Sequence, residues 1–235
     1  MASDGLDHPG ARDEDVPPGR IEQRSVPATG VVSAVHGGPP EPCRTVTSVN
    51  RFHMWYCRSG RWTRAVEQRL LPWVLSDVDL GPSVLELGPG PGVTTMVLAG
   101  RVPSLTALEL DPVLVARLRS SAPPNVTVIE GDATAMSLPD NTFSAVVCFT
   151  MLHHLPSPAA QDALFAEAYR VLRPGGVFVG SDSRLSLRMR LYHVADTMTI
   201  IPLDQFPPRL TAAGFTDVSV GTSPRSNRFR GIKPA

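Results

Sequence analysis

Short apolar runs of strand length alternate along the chain with stretches that carry apolar residues on one helical face. The runs contain few polar residues, which is typical of parallel strands buried on both faces of a sheet. Strands that alternate with helices predict an α/β protein. The predicted strands of the central part lie at residues 84–87, 105–110, 126–130, 143–149 and 177–180.

The second half of the chain predicts two further helices and two further strands. A helix is expected over residues 157–172, and the Pro-Gly-Gly that follows at 174–176 is a strong break signal. A last helix is expected near residues 208–213, before a sixth strand from about residue 216. In the segment 228–232, arginines alternate with apolar residues, as on an exposed edge strand. The apolar face of the 157–172 helix comprises Ala160, Leu164, Ala168 and Leu172.

The first predicted strand ends in an acidic residue and three alternating glycines. Glu86 lies in the strand, and Gly88, Gly90 and Gly92 follow it. Glycines lack the Cβ that would block a ligand, and they reach φ values that other residues resist. The third glycine comes one residue earlier than in the dinucleotide pattern G-x-G-x-x-G. A carboxylate here would repel a pyrophosphate but could accept a hydrogen bond from an ammonium group.

A second acidic residue ends the next predicted strand. Glu109 lies about 20 residues beyond the first glycine, where nucleotide-binding βαβ units place the carboxylate that binds the ribose hydroxyls. Asp111 competes for this role. It precedes Pro112 at an expected helix start, however, so a role as helix N-cap explains it without a ligand. Glu109 is therefore the predicted ribose ligand.

These motifs resemble those of class I S-adenosylmethionine-dependent methyltransferases, in particular the small-molecule type typified by ubiquinone and menaquinone biosynthesis methyltransferases. The resemblance covers about residues 83–182. It rests on the E-x-G-x-G-x-G pattern from Glu86, on Gly131-Asp132-Ala133, on Leu152-His153-His154-Leu155 and on the RVLRPGGVFVGSD segment that ends at Asp182. It implies a Rossmann-like doubly wound sheet of seven strands in the order 3-2-1-4-5-7-6, with strand 7 antiparallel.

The resemblance also implies the cofactor, S-adenosyl-L-methionine, and how it is held. The glycine turn would hold its amino-acid moiety. Asp132 would accept a hydrogen bond from the adenine amino group, and the N–H of Ala133 would meet a ring nitrogen. The alternative for Asp132 is a turn closed by its own side chain. Phe149, at the end of the fourth strand, completes the predicted cofactor site.

Two other functional classes stay open at this stage. One is an NAD(P)-binding oxidoreductase, which the glycine spacing and Glu86 disfavour. The other is a protein that binds S-adenosylmethionine without catalysis, since a cofactor motif alone does not demonstrate turnover. The predicted function is methyl transfer to a small molecule that the sequence does not identify.

A general base is required only if the acceptor atom carries a proton. The candidates are His153, His154, His193 and Asp182. The paired histidines follow the fourth strand, at the edge where open α/β sheets bind ligands, and a neutral imidazole takes up a proton near pH 7. His193 lies in a segment of irregular pattern that is expected to face the acceptor. His154 and His193 are the predicted bases.

Composition limits the partners and the compartment. The formal net charge is zero, which gives no electrostatic reason to expect a nucleic acid substrate. The cysteines have neither metal-ligand nor disulfide-framework spacing, so no metal is predicted and a cytoplasmic location is expected. No apolar run approaches the length of a membrane span.

The amino-terminal region is predicted to fall into two parts. Residues 1–49 lack aromatic residues and are rich in Gly and Pro, so we expect them to be disordered. Residues 50–80 concentrate aromatic residues and are predicted to form a helical cap or lid. Trp62, Val66 and Leu70 would lie on one face of a helix that runs to about Pro72. Residues 81–235 would form the cofactor-binding domain.

Overall fold

A single seven-stranded sheet organises the part of the chain that the computed structural model describes, residues 59–186, residue 189 and residues 198–235. Its strand order is β3-β2-β1-β4-β5-β7-β6. The strands are β1 Ser83–Leu87, β2 Ser104–Glu109, β3 Val126–Glu130, β4 Phe143–Phe149, β5 Leu172–Ser183, β6 Thr216–Thr222 and β7 Ser226–Ile232.

Helices connect these strands and cover the sheet. They are α1 Gly60–Ala65, a π-helical segment Val66–Leu70, α2 Leu71–Val74, α3 Val93–Ala99, α4 Pro112–Ser121, α5 Pro158–Val171 and α6 Phe206–Ala212, with short 3-10 turns at Leu152–His154 and Leu203–Gln205. None of the helices in the described ranges is long and apolar enough to cross a membrane.

The predicted topology is confirmed. Strands β1 to β5 pair in parallel, and β7 runs antiparallel to both β5 and β6. The carboxyl ends of β1, β2, β3, β4 and β5 therefore meet at one edge of the sheet. In open α/β sheets this edge is where ligands bind.

Polar caps start two of the helices at the predicted places. Asp111 accepts hydrogen bonds from the backbone N–H groups of Val113 and Leu114 at the start of α4. Ser157 does the same for Ala160 at the start of α5. In both helices a proline occupies the first turn, where its missing N–H costs nothing. Asp111 is thus explained by the helix it begins.

Three predicted boundaries were wrong. The helix expected to end near Pro72 continues to Val74, because Pro72 lies in the first turn of α2, directly after the π-helical segment. Strand β5 begins at Leu172, before the Pro-Gly-Gly break, since a register shift between Phe143 and Ala145 accommodates the irregular backbone there. The last helix, α6, is Phe206–Ala212 instead of 208–213.

Two apolar layers enclose the sheet. On one face, the core includes Phe165 of α5, Phe206 of α6 and Phe178 and Phe229 of the sheet. On the other face, Val66 is fully buried, and Trp62 and Leu70 pack against the same core, as their helical spacing predicted. Packing against the core therefore accounts for this helix face. Residues 50–58 of the predicted cap and residues 1–49 lie outside the described residues.

The tight contact between β4 and β5 generates a stability prediction. A Cβ added to Gly180 would overlap the backbone oxygen of Cys148 and lie 2.7 Å from Cζ of Phe229. Gly180→Ala should therefore lower the free energy of unfolding by about 1–3 kcal/mol, as overpacked cores do. Gly100→Ala is the control, because its Cβ would meet only ordinary contacts at 3.6 Å. Urea titration of both variants measures the difference, and equal stabilities would contradict the packing described.

Candidate functional site

The glycine turn after β1 has a backbone that only glycine adopts readily. The φ angles are 60° at Gly88, 58° at Gly90 and 85° at Gly92. A Cβ on Gly88 would lie 2.5 Å from Cγ of Met151, and one on Gly92 would lie 2.5 Å from Cδ1 of Leu118. A Cβ on Gly90 would meet nothing within 4 Å. Packing thus explains the first and third glycines, whereas the second has open space beside it.

A hydrogen bond ties this turn to the end of the next strand. Oε2 of Glu109 accepts from the backbone N–H of Gly90 at 2.9 Å. Oε1 accepts from the N–H groups of Leu110 at 2.9 Å and Asp111 at 3.0 Å. A carboxylate has about four acceptor sites, so one is left for a ligand. Glu109 therefore holds the glycine turn in place, and its predicted contact with a ribose would use the remaining site.

Asp132 forms the turn that the sequence offered as the alternative to a ligand contact. Its Oδ1 accepts from both the backbone N–H and the hydroxyl of Thr134, each at 2.8 Å. Oδ2 takes no part in this turn. Ala133 is buried beside it. The turn fixes the Asp132 carboxylate two residues beyond β3, at the same edge of the sheet as Glu109, and the adenine contact predicted for Asp132 stays a prediction.

Glu86 is buried below the glycine turn, with an exposed fraction of 1%. The hydroxyls of Thr94 and Thr95, in the first turn of α3, donate to its two oxygens. Burial raises the pKa of the Glu86 carboxyl from 4.5 to about 7; the threonine hydrogen bonds lower it, and the nearby Glu109 raises it further. The predicted ammonium contact would need a second lone pair of one of these oxygens.

The backbone is strained directly after β4. Thr150 has φ of 52°, a conformation that β-branched residues rarely adopt, and its N–H donates to the backbone oxygen of Ser181 at 2.8 Å. Such outliers persist only where the surrounding structure enforces them. Phe149, the preceding residue, is buried on the face of the sheet that helices α1, α2 and α3 cover. The chain then places Met151 over Gly88.

The paired histidines have different environments. Nδ1 of His153 lies 2.5 Å from Oδ1 of Asp182, and both side chains are buried. His154 is half-buried, with its ring centroid 4.2 Å from that of His153. The structure therefore brings together three of the four candidate bases: His153 contacts both Asp182 and His154, and of these three only His154 was ranked first by the sequence. His193 lies outside the described residues.

Thr94, Thr95 and Asn227 are polar residues of this edge that the sequence analysis missed. The threonines offered a local signal, since they follow the glycine turn at a helix start and their hydroxyls can reach back to an acid in the strand. Asn227 offered none, because its position beside Asp182 depends on the antiparallel pairing of β5 with β7.

The arrangement fits a cofactor that carries an adenosine and a charged amino-acid group. Open space at Gly90, carboxylates at the ends of β1 and β2, and a fixed carboxylate after β3 surround one short stretch of the edge. Among the described residues no group of His, Cys, Asp or Glu is arranged to hold a metal ion.

Comparison with known proteins agrees with this geometry. A family model described as a methyltransferase domain matches residues 84–176. A probable S-adenosylmethionine-dependent methyltransferase of Mycolicibacterium smegmatis is 31% identical over 176 residues, covering 74% of this chain and 61% of that protein. A probable ribosomal RNA small subunit methyltransferase A of Pyrobaculum aerophilum is 32% identical, covering 58% of this chain and 63% of that protein.

Two further proteins complete the comparison. The ubiquinone biosynthesis O-methyltransferase of Pseudomonas entomophila is 28% identical over 56% of this chain and 59% of its own length. The phosphoethanolamine N-methyltransferase 2 of Haemonchus contortus has the same fold, with a TM-score of 0.58 at 18% identity over 75% of this chain and 53% of that one. The chain spans about three fifths of the length of the curated relatives it matches.

The sheet order and the glycine turn define a doubly wound protein that binds its ligand at the carboxyl edge of the strands. The resemblance to the class I S-adenosylmethionine-dependent methyltransferases is confirmed: the chain has their sheet order, and residues 84–176 match a methyltransferase domain. The cofactor of the class is S-adenosylmethionine, as predicted.

The burial of Glu86 predicts a pH-dependent stability. Its pKa is raised in the folded protein, so the unfolded chain loses this proton first as the pH rises, and stability falls between about pH 4.5 and 7. The shift corresponds to roughly 3 kcal/mol. Glu86→Gln should remove this decline, so that the variant is the more stable protein at pH 8.

Urea titrations from acidic to mildly alkaline pH measure this effect. Glu67→Gln is the matched control, because Glu67 is exposed on the π-helical segment. The buried carboxylic acid would be the wrong description if Glu86→Gln lost stability in parallel with the unmodified protein across this range.

Proposed function

We propose that this chain is an S-adenosylmethionine-dependent methyltransferase that acts on a small-molecule acceptor. The observation that carries the proposal is the hydrogen bond from Gly90 to Glu109, which joins the glycine turn to the carboxylate at the end of β2. This bond holds two predicted cofactor-binding elements in register. The matched methyltransferase domain supports the same activity.

The proposed cofactor contacts follow the order of the strands. The turn from Gly88 to Gly92 binds the amino-acid moiety, with Glu86 close below it. Glu109 accepts from a ribose hydroxyl with its remaining acceptor site, and Asp132 and Ala133 bind the adenine. Phe149 borders the site at β4. The observed fixation of each carboxylate supports these roles, because a ligand then meets groups that are already ordered.

When bound, the cofactor supplies a methyl group on a sulfonium, which an acceptor atom takes by in-line displacement. The protein's main task is then to position the acceptor, which can contribute about 7–11 kcal/mol to lowering the barrier. A base would add about 10²- to 10⁴-fold where the acceptor carries a proton. His154 and His193 stay the predicted bases from the sequence, and His153 joins them through its contact with Asp182.

Charge favours a small molecule over RNA as the acceptor. The edge that binds the cofactor carries Glu86, Glu109, Asp132 and Asp182, and the formal net charge of the chain is zero. RNA binding usually depends on a basic surface that neutralises phosphates. RNA remains the second candidate, because several of the relatives are named as ribosomal RNA methyltransferases.

Methyl transfer from labelled cofactor tests the function and separates these acceptors. The full chain is incubated with fractionated cell metabolites in one reaction and with small ribosomal subunits in another, and the labelled product is identified by mass spectrometry. Label in a metabolite supports the proposal. Label in ribosomal RNA alone would replace the acceptor class, and binding of cofactor without transfer to either pool would favour a non-catalytic binding protein.

The neighbouring acids Glu109 and Asp111 allow a sharp mutational comparison. Loss of one charge-assisted hydrogen bond costs about 1.5–3 kcal/mol, or roughly 10- to 150-fold in dissociation constant. Glu109→Gln and Asp132→Asn should weaken binding of S-adenosylhomocysteine by that order in calorimetry. Asp111→Asn, which keeps a helix cap, should change it little.

Thermal melting of each variant provides the control for folding, since Glu109 also holds three backbone N–H groups. A larger loss of affinity for Asp111→Asn than for Glu109→Gln would mean that Asp111, and not Glu109, binds the ribose.

A further inference from the structure

Two buried polar side chains lie side by side on strands β5 and β7. Asp182 and Asn227 are directly opposite each other in the antiparallel pair, so their side chains are on the same face of the sheet. Their exposed fractions are 2% and 4%. Asn227 shares this face with Phe229, two residues along the strand, which belongs to the core beneath α5 and α6.

The hydrogen bonding of this pair is incomplete. Oδ1 of Asp182 contacts Nδ1 of His153 at 2.5 Å. Oδ2 of Asp182 and Oδ1 of Asn227 have no hydrogen-bond partner among the described residues. Buried acceptors without a donor are costly, and native proteins rarely keep them without a role. Two such atoms on neighbouring residues indicate a place prepared for a group that donates hydrogen bonds.

The pair lies at the edge of the sheet where the reaction is proposed to occur. Ser181 pairs in register with Phe149, the last residue of β4, so Asp182 lies one residue beyond the end of that strand. Thr150, whose strained backbone follows β4, donates its N–H to Ser181. Asp182 is therefore close to the turn after β4. It lies away from β2, which ends in Glu109, and from the turn after β3, which contains Asp132.

We propose that Asp182 and Asn227 bind the methyl acceptor, and that they select an acceptor whose polar group is a hydrogen-bond donor, an amine or a hydroxyl. This inference rests on the proposed methyltransferase function and specifies its substrate class. Both available atoms are acceptors, so they complement N–H and O–H groups. A carboxylate or phosphate would place its oxygens against the oxygens of Asp182 and Asn227, and the pair disfavours it.

His153, besides being a candidate base, positions Asp182. Its contact occupies one oxygen of Asp182 and fixes the carboxylate, which leaves the other oxygen for the acceptor. Asn227 costs stability, because an apolar residue at this position would fill the same buried space without an unpartnered amide oxygen. A role in binding would explain why an asparagine is present.

Nuclear magnetic resonance of the full chain with small probes tests this site. The protein is saturated with S-adenosylhomocysteine, and benzylamine, benzyl alcohol or benzoate is added at millimolar concentration. Benzylamine and benzyl alcohol should shift the amide resonances of Asp182 and Asn227, and benzoate should not. The relative affinities of the two donors then show whether the site prefers an amine or a hydroxyl.

Variants locate the effect. Asp182→Asn and Asn227→Leu should each weaken binding of the donor probes by about tenfold, the loss expected for one hydrogen bond. Ser181→Ala is the matched control: Ser181 is buried on the same strand but on the opposite face, so probe binding should be unchanged. Asn227→Leu should melt at the same temperature as the unmodified protein or at a higher one.

Three results would overturn the inference. They are an equal response to benzoate, no response of these amides to either donor probe, and donor binding that survives Asn227→Leu unchanged. Calorimetry with S-adenosylhomocysteine on the same samples tests the proposed function separately from the acceptor site. If cofactor binding is intact, any of these three results rejects only the acceptor site.

Discussion

The hydrogen bond from the Gly90 N–H to the Glu109 carboxylate is the interaction on which the site depends. It joins the glycine turn to the last residue of β2, 19 residues along the chain, and it depends on the parallel pairing of β1 with β2, which end together. Gly90 has a positive φ, so a side chain at this position would strain the turn. The sheet itself therefore holds the proposed cofactor site in place.

Two buried acids at this edge, Glu86 and Asp182, differ in their hydrogen bonding. Glu86 is satisfied by two threonine hydroxyls, so its cost is the desolvation that raises its pKa. Asp182 is satisfied on one oxygen by His153 and lacks a donor for the other among the described residues. Glu86 thus has a donor on each oxygen, whereas Asp182 has one oxygen without a donor. This difference separates the acid beside the glycine turn from the proposed acceptor ligand.

The sequence predicted the elements whose signals are local. Apolar runs predicted strands β3 and β4, glycine spacing predicted the glycine turn, and an Asp-Pro pair predicted the Asp111 cap. Each of these signals lies within a few consecutive residues. The start of β5 was missed, since the register shift opposite Phe143 that tolerates Pro174 is set by β4. The pairing of Asp182 with His153 and Asn227 was missed for the same reason: it depends on contacts between distant strands.

Calorimetric titration of the full chain with S-adenosylhomocysteine and, separately, with NAD distinguishes a methyltransferase cofactor site from a dinucleotide site. We expect micromolar or tighter binding of S-adenosylhomocysteine and none of NAD, because the shortened glycine spacing and the acid below the turn suit an amino-acid moiety and repel a pyrophosphate. Micromolar binding of NAD with no response to S-adenosylhomocysteine would contradict it.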